Sequence, residues 1–556
     1  MNAKEKLSRG ITLVALVITI IILLILAGIS ISALTNQGLF KNAQKAKKTT
    51  EEAQKKETDL LEQYESELNK YIENGRWDGK VNKPELMTGM SAIKFTDPTD
   101  STEGTVVDTT NSDAEWYNYE NKKWANAKTE DGSMWVWIPR YAYRIHKENG
   151  VETQKFDIVF LVGLTDNYYD ENGKLQTAQR QTSEDQTIVT NGDAYTVHPA
   201  FTNESSINYA NGGWDKELAG IWVAKFEAGY ASGNNKATVK ASSVNYSQDT
   251  AILPGVETNT NGDSIQAARN WLDGEYGSTT TAIKYPTFQG LTYSMDYINH
   301  NDSFRISKAL TENGNIYGLS NKSTDSHLMK NSEWGAVAYL SQSKYGLDGT
   351  NILINDITLN NSTKSIYAVT GCAASTSDSN GNITTIDALN NRTQSGVYVW
   401  TQKNGTAASS TGTIYGIYDM AGGISERTSS LINNKNDNLK TYGSQIIADL
   451  NNGKSTKYIT IYPTGETLGQ TMAQASQANY TNNTKIYGDA IKETSTLGTG
   501  TNSWYSDCSD FVGLSTPFLL HGGYYGGTSI SGCFAFGRTS GNGSYNRGFR
   551  SVLVSL

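Results

Sequence analysis

The chain has 556 residues, 37% of them apolar, and a formal net charge of -9, so it is long enough for more than one folding unit. Its positive charges form no block after residue 60, so we do not expect a nucleic-acid-binding surface. The 3 cysteines are widely spaced and the 5 histidines form no ligand-spaced pair, so we expect no metal site and no cofactor.

The first predicted element is a long apolar helix that starts at Ile11. Residues 11–34 contain no charged side chain, and a helix of this length extends about 36 Å, enough to cross the hydrocarbon core of a membrane. A secretory signal peptide normally has a shorter apolar region. The sequence therefore predicts one transmembrane helix over 11–35 and a single-pass protein of the cell membrane.

Residues 1–10 read MNAKEKLSRG, a short basic segment that ends in Gly10. Together with the apolar helix that opens at Ile11, this segment resembles the leader of type IV prepilins. The resemblance implies cleavage between Gly10 and Ile11 by a prepilin peptidase, pilin-like subunits as potential partners, and an extracellular C-terminal domain. Ala15 stands where that family usually has Glu, which argues against assembly into a long filament.

Three further segments follow the apolar helix. Residues 36–75 are charged, with a narrow apolar stripe at three- and four-residue spacing, and predict a helical stalk. Residues 76–130 are polar with scattered aromatic side chains, and we interpret them as a connecting segment. Within the remaining domain over 131–556, the apolar runs Met134–Pro139 and Ile221–Glu227 predict strands.

Short strings in the domain over 131–556 carry a second resemblance. They are Ile221–Glu227, Ser332-Glu333-Trp334, Tyr415–Gly422 with Glu426, and a tail with Gly522-Gly523 and Gly548-Phe549-Arg550. Together they resemble the formylglycine-generating enzyme (sulfatase-modifying factor) family. The resemblance implies an α+β fold, in which the long pilin-like helix precedes a C-type lectin-like domain. We expect Glu333, Glu426 and Arg550 to form internal ion pairs or caps.

The same comparison argues against catalysis. Members of that family hold copper with two cysteines five residues apart, and those positions fall on Gly527 and Gly532 when the strings are aligned without gaps. We therefore predict no catalytic residue. Two interpretations stay open for Cys508 and Cys533, a disulfide or two buried thiols. Three further positions depart from the family pattern: Gly423, Ser425 and Arg427.

The last forty or so residues combine framework strings with Tyr, Ser, Thr, Gly, Asn and Arg. Tyr and Arg supply strong contacts in binding surfaces, and small polar residues adapt their hydrogen bonds. The arrangement resembles the variable proteins that are diversified by retroelements. The sequence therefore predicts a ligand-binding surface formed by Tyr524, Tyr525, Thr528, Ser529, Ser531, Arg538, Thr539, Asn542, Ser544, Tyr545, Asn546 and Arg547.

These observations favour a non-catalytic, membrane-anchored bacterial surface protein that binds a protein or glycan ligand, or a partner surface, through its tail. One alternative is a minor pilin-like subunit of a type IV filament or secretion pseudopilus, in which the large domain is a structural tip. A second alternative is an oxidase of the formylglycine-generating type, which is disfavoured because the cysteine pair is missing.

Overall fold

A computed structural model of the chain divides into two compact units, Met1–Gly75 and Arg76–Leu556. In the smaller unit, the described residues form three short helical segments. The two segments over 47–50 and 53–56 fall within the predicted stalk and are exposed. The structure describes residues 16–24, 47–50, 53–56, 77–95, 104–109, 116–180, 194–203, 212–229, 231–232, 237–238, 285–292, 294–296, 298–361, 365–374, 382–383, 397–402, 404–451, 457–484 and 486–556.

The prediction of a long N-terminal helix is wrong. The described helix in this region covers residues 16–24, which is about 14 Å, whereas the hydrocarbon core is about 30 Å thick. Within the described part of the chain, no helix is both long and apolar enough to cross a membrane. This finding corrects the transmembrane helix predicted over 11–35 and the single-pass membrane localisation. Gly10 and Ile11, the predicted cleavage site, lie outside the described residues.

The larger unit consists mainly of short strands with a few short helices, so the expected α+β class with a long pilin-like helix is replaced by a mixed α/β structure. The strands are β1 (Ser91–Lys94), β2 (Thr105–Val106), β3 (Asn126–Lys128), β4 (Met134–Pro139), β5 (Tyr141–Glu148), β6 (Val151–Phe160), β7 (Asn167–Tyr169), β8 (Leu175–Thr177), β9 (Thr196–Val197), β10 (Gly220–Ala224), β11 (Ala231–Ser232), β12 (Ala237–Thr238), β13 (Thr324–Leu328), β14 (Thr358–Asn361), β15 (Ser365–Ala368), β16 (Cys372–Ala374), β17 (Asn382–Ile383), β18 (Val397–Val399), β19 (Ser425–Ile432), β20 (Thr460–Tyr462), β21 (Phe518–His521), β22 (Phe536–Thr539), β23 (Arg547–Phe549) and β24 (Ser551–Ser555). The helices are α1 (His300–Lys308), α2 (Asn331–Ser341), α3 (Asp437–Tyr442), α4 (Ser444–Asn451) and α5 (Met472–Asn482), with 3-10 turns at Tyr119–Asn121, Pro199–Phe201, Ala309–Thr311, Gly405–Ala408, Trp504–Ser506 and Tyr525–Ile530.

The largest sheet has seven strands in the order β13-β24-β10-β4-β3-β1-β2, all paired antiparallel. Its central strands β4 and β10 are buried along their whole length, as apolar runs covered on both faces usually are. Trp137 of β4 and Trp222 of β10 lie with ring centroids 5.3 Å apart. The strand predicted over Met134–Pro139 is confirmed, and the one predicted over Ile221–Glu227 ends earlier, at Ala224.

Three strands from the segment over 76–130 belong to this sheet as well. Strands β1, β2 and β3 all come from the segment that we interpreted as a connection, and β3 pairs directly with β4. Trp124, from the same segment, is fully buried and donates its indole N–H to the carbonyl oxygen of Tyr345 at 2.9 Å. The scattered aromatic side chains of this segment thus contribute to the main core.

The second sheet has five strands, in the order β20-β19-β21-β22 with β23 also paired to β19. Smaller sheets have the orders β6-β5-β9, β15-β14-β17, β11-β12, β16-β18 and β7-β8. The C-terminal segment contributes β21, β22 and β23 to the second sheet, while β24 lies between β10 and β13 in the first. The end of the chain is therefore an integral part of both sheets.

The charged residues of the family-like strings form the predicted internal contacts. Arg550 and Glu426 are both buried; Nε of Arg550 donates to Oε2 of Glu426 at 2.7 Å, and Nη2 donates to Oε1. Glu333 caps α2 by accepting the backbone N–H of Lys330 at 2.8 Å, and its carboxylate lies 2.8 Å from His327 Nε2. The expectation of internal ion pairs and caps is confirmed for all three residues.

Candidate ligand-binding surface

Two segments of the tail meet at the N-terminal end of β19. Strand β21 runs antiparallel to β19, so the loop that follows it starts beside residue 423. Strand β23 runs parallel to β19, so the loop that precedes it ends at the same place. The contacts are direct: Tyr525 N–H donates to Gly423 O at 2.9 Å, and Ser425 N–H donates to Asn546 O at 3.0 Å. Residues 522–531 and 543–546 therefore both attach to the N-terminal end of β19, which lies between β21 and β23.

Side chains of both loops reach the surface. Tyr545 is 46% exposed, and the rings of Tyr524 and Tyr525 meet edge to face with centroids 5.4 Å apart. An edge-to-face pair is a favourable arrangement for aromatic rings and holds both of them in place. Seven of the predicted residues are exposed or half-buried here, namely Tyr524, Tyr525, Thr528, Ser529, Ser544, Tyr545 and Asn546. We call these seven residues the tail surface.

Two other predicted residues are buried, and each fixes the backbone or side chains of its own part of the tail. Ser531 is 1% exposed; its hydroxyl donates to Tyr524 O at 2.8 Å and accepts Tyr524 N–H at 3.1 Å. Thr539 is also 1% exposed, and its hydroxyl oxygen accepts from Arg547 at 2.8 Å. Since neither side chain reaches the solvent, both residues support the tail surface from below.

The remaining three predicted residues, Arg538, Asn542 and Arg547, are half-buried, and their side chains bond to other groups of the protein. Arg547 donates to Asn542 Oδ1 at 2.9 Å, and burial lowers the pKa of its guanidinium group from the ordinary value. Arg538 pairs with Asp510 at 2.6 Å and donates to Ser476. The arginines predicted to be ligand contacts therefore fix the positions of neighbouring segments, and the tail surface itself contains no charged side chain.

The backbone of the first loop is strained at one residue. Thr528 has φ +47°, a conformation that is rare for residues with a branched Cβ. It lies inside the 3-10 turn Tyr525–Ile530, which Ser531 closes. Strain of this kind persists where the surrounding structure imposes it, and it is concentrated at ligand-binding segments.

The positions of the missing copper ligands are occupied differently. Gly527 and Gly532 carry no donor side chain, and Cys533 is fully buried, where burial raises the pKa of its thiol. Cys508 and Cys533 are both free thiols, so of the two open interpretations the structure has the unpaired one. Among the described residues, no cluster of three or more His, Cys, Asp and Glu side chains is arranged to hold a metal ion.

The residues that join the two loops were not predicted as part of the site. Gly423, Ile424 and Ser425 connect the Asp-Met-Ala-Gly string to β19, and the tail loops attach to this segment through backbone groups. The sequence did contain a signal, since Gly423 and Ser425 depart from the family pattern. A scan of protein-family models finds no match to the chain, and a search of curated proteins finds none either.

Proposed function

We propose that this protein is a non-catalytic binding protein and that the tail surface is its ligand-binding site. One observation carries the proposal: two loops that are separate in sequence attach to the same end of β19, and besides Ile530 their exposed and half-buried side chains are tyrosines, hydroxyls and an amide. Tyrosine offers a large contact area with few rotatable bonds, and small polar residues supply adaptable hydrogen bonds. Such a surface suits recognition of another molecule.

The internal bonds of the tail support the same function. Ser531 fixes the first loop, and the bond from Arg547 to Thr539 fixes the segment between β22 and β23, before any ligand arrives. Preorganisation of this kind reduces the entropy that binding must offset. Because the tail surface has no formal charge, its ligand is a protein or glycan surface of low charge, bound by stacking on the rings and by hydrogen bonds. Oxidation chemistry of the formylglycine type is the weaker candidate, because its two thiol positions are Gly527 and Gly532.

Arrays of purified glycans and of purified bacterial surface proteins test this function. The full chain is compared with a variant that carries Tyr524→Ala, Tyr525→Ala and Tyr545→Ala. We expect the triple variant to lose at least 30-fold in affinity for any array component that binds the wild type, because aromatic residues usually carry about 2 kcal/mol or more each at interfaces. Leu468→Ala, at a fully exposed position of another loop, is the matched control and should bind normally.

Two outcomes of this experiment would overturn the proposal. The first is a ligand whose binding survives the triple substitution while the control behaves as expected. The second is a clear fall in the unfolding temperature of the triple variant below that of the wild type, which would assign the three rings to the core. Circular dichroism during heating separates these two cases.

A further inference from the structure

A second candidate site lies outside the tail. It is an open cleft with a volume of about 1250 Å³, and none of its lining residues comes after Asp348. It is lined by residues of β5 and β6, by Tyr195, and by residues from the segments 77–83, 117–120, 168–172 and 344–348. The cleft therefore shares no residue with the tail surface.

The cleft runs along an unpaired strand edge. Strand β6 is at the margin of the sheet β6-β5-β9, and all of its residues from Lys155 to Phe160 line the cleft. Immediately after the last paired residues of β5 and β6, Leu161 N–H donates to Arg140 O at 3.1 Å. Hydrogen bonding alternates along an antiparallel pair. The N–H and C=O groups of Ile158 and Phe160 consequently point away from β5, and both residues line the cleft.

Phe156 supports this assignment of the edge. It lies two residues before Ile158, so its backbone groups point to the same side of the strand. Its N–H donates to Gln342 O at 3.0 Å, on the side away from β5. That bond closes one end of the edge and leaves the part beyond it open. The stretch beyond Phe156 that lines the cleft, residues 157–160, is about 13 Å long in an extended strand, which gives room for a bound segment of about four residues.

The side chains along β6 alternate in character. Phe156, Ile158 and Phe160 are buried, whereas Lys155, Asp157 and Val159 are half-buried on the other face. Cross-strand neighbours on one face of a sheet contact each other. A segment that adds to this edge would therefore place one row of side chains beside apolar neighbours and the other beside charged ones.

The charges around the cleft are nearly balanced. Its lining contains five Lys or Arg and six Asp or Glu side chains, so a polyanion such as nucleic acid is a poor match. Asp157, the central charge on the β6 face, accepts from Arg144 at 2.9 Å and lies 2.8 Å from His146 Nδ1. This arrangement suits a ligand that carries both charged and apolar groups.

We propose that the cleft binds an extended peptide in which apolar and polar residues alternate, and that the backbone of this peptide pairs with the open edge of β6. Edge strands present rows of backbone donors and acceptors, and peptide recognition by strand addition uses them for affinity and the flanking side chains for specificity. The bound segment would become the fourth strand of the sheet β6-β5-β9. This second site is independent of the tail surface.

A random twelve-residue peptide display library, selected on the immobilised full chain, tests the proposal. We expect enriched peptides with apolar and polar residues in alternation. Ile158→Pro removes an outward N–H without removing a bond to β5, and it should weaken the selected peptides at least tenfold. Ile158→Val keeps the N–H and is the matched control, with an expected change of less than threefold. The tail variant with three alanines should bind these peptides normally.

Hydrogen exchange on the wild type covers the case in which Ile158→Pro does not fold. Binding of a selected peptide should slow exchange of the Ile158 and Phe160 amides, because both would become hydrogen-bonded. The proposal fails if selection enriches no peptide, if enriched peptides bind Ile158→Pro as well as wild type, or if the two amides exchange at an unchanged rate. Binding of oligosaccharides on a glycan array, lost in Asp157→Asn, would instead assign the cleft to sugars.

Discussion

Arg550 is the residue that ties the end of the chain to both sheets. Its guanidinium group is fully buried, pairs with Glu426, and donates to the carbonyl oxygens of Ala224 and Tyr418 at 3.0 and 2.9 Å. We predict that Arg550→Ala lowers the free energy of unfolding by about 3–5 kcal/mol, because Glu426 is left buried without its charge partner. Urea denaturation followed by tryptophan fluorescence measures this change.

An exposed pair provides the control for Arg550. Lys440 and Asp437 lie 3.3 Å apart with side chains 78% and 93% exposed, so Lys440→Ala should change the free energy of unfolding by less than about 0.5 kcal/mol. Equal effects of the two substitutions would contradict the role assigned to burial.

Asp489 gives the protein a pH-dependent stability. Its carboxylate is fully buried and accepts the Tyr462 hydroxyl at 2.7 Å; burial, with the nearby charge of Glu493, raises its pKa from 3.8 to about 7. Between these two pH values the folded state keeps a proton that the unfolded state has lost. The stabilisation is complete below pH 3.8 and is lost as the pH rises to about 7, by about 1 kcal/mol per pH unit.

The test compares wild type with Asp489→Asn, which stays neutral at every pH. We predict that the stability of the wild type relative to this variant falls steadily between pH 5 and pH 7, as measured by urea denaturation at each pH. His198, His300 and His521 are fully buried, and burial lowers the pKa of their imidazoles, so their contribution to stability rises with pH in both proteins and cancels in the difference. Asp437→Asn, at an exposed position, should show no such trend. Parallel pH profiles for wild type and Asp489→Asn would refute the assignment.

At the scale of elements, the first tail loop depends on one hydroxyl group. Ser531 bridges both backbone groups of Tyr524, so it closes the turn that presents Tyr524 and Tyr525. We predict that Ser531→Ala lowers global stability by about 1 kcal/mol and speeds amide exchange over residues 524–530. Hydrogen exchange with mass spectrometry measures the local effect. Ser529→Ala, at an exposed position of the same loop, is the control. If exchange becomes faster in Ser529→Ala but not in Ser531→Ala, then Ser531 does not close the turn.

Individual elements differ in how far the sequence predicts them. β4 was predictable because an unbroken apolar run that is too short for a long helix favours a buried strand. β19 reads Ser-Glu-Arg-Thr-Ser-Ser-Leu-Ile yet is buried throughout, because distant partners bind several of its polar groups: Arg550 pairs with Glu426, and Arg427 donates to the carbonyl oxygens of Ile298 and Asn542. Of the helix predicted over 11–35, the described residues form a helix over 16–24, and apolar composition alone does not fix where a helix begins and ends.

The tail surface, too, was predictable from the sequence only in part. Residue types alone pointed to Tyr524, Tyr525 and Tyr545, and these rings do lie at or near the surface. The same reasoning could not separate them from Ser531, Thr539 and Arg547, because Ser, Thr and Arg occur equally in binding surfaces and in buried polar networks. Only the pairing of β21 and β23 with β19 decides which of them point inward.

For the whole molecule, the last strand decides whether the larger unit folds. β24 lies between β10 and β13, and its residues Val552, Leu553 and Val554 are buried. Burial of such side chains contributes about 1.5–3 kcal/mol each, so the strand accounts for a large part of a typical stability of about 5–15 kcal/mol. We predict that a chain ending at Arg550 shows no cooperative thermal transition by calorimetry.

Removal of the other end of the chain is the natural comparison. The unit over Arg76–Leu556 is compact by itself, so a chain that starts at Arg76 should keep a single cooperative transition near the wild-type temperature. The short truncation of six C-terminal residues should thus be far more damaging than loss of the first 75. The opposite result would be a chain ending at Arg550 that unfolds cooperatively at the wild-type temperature. In that case β10 and β13 would not need β24 between them, and the last strand would not be required for the fold of the larger unit.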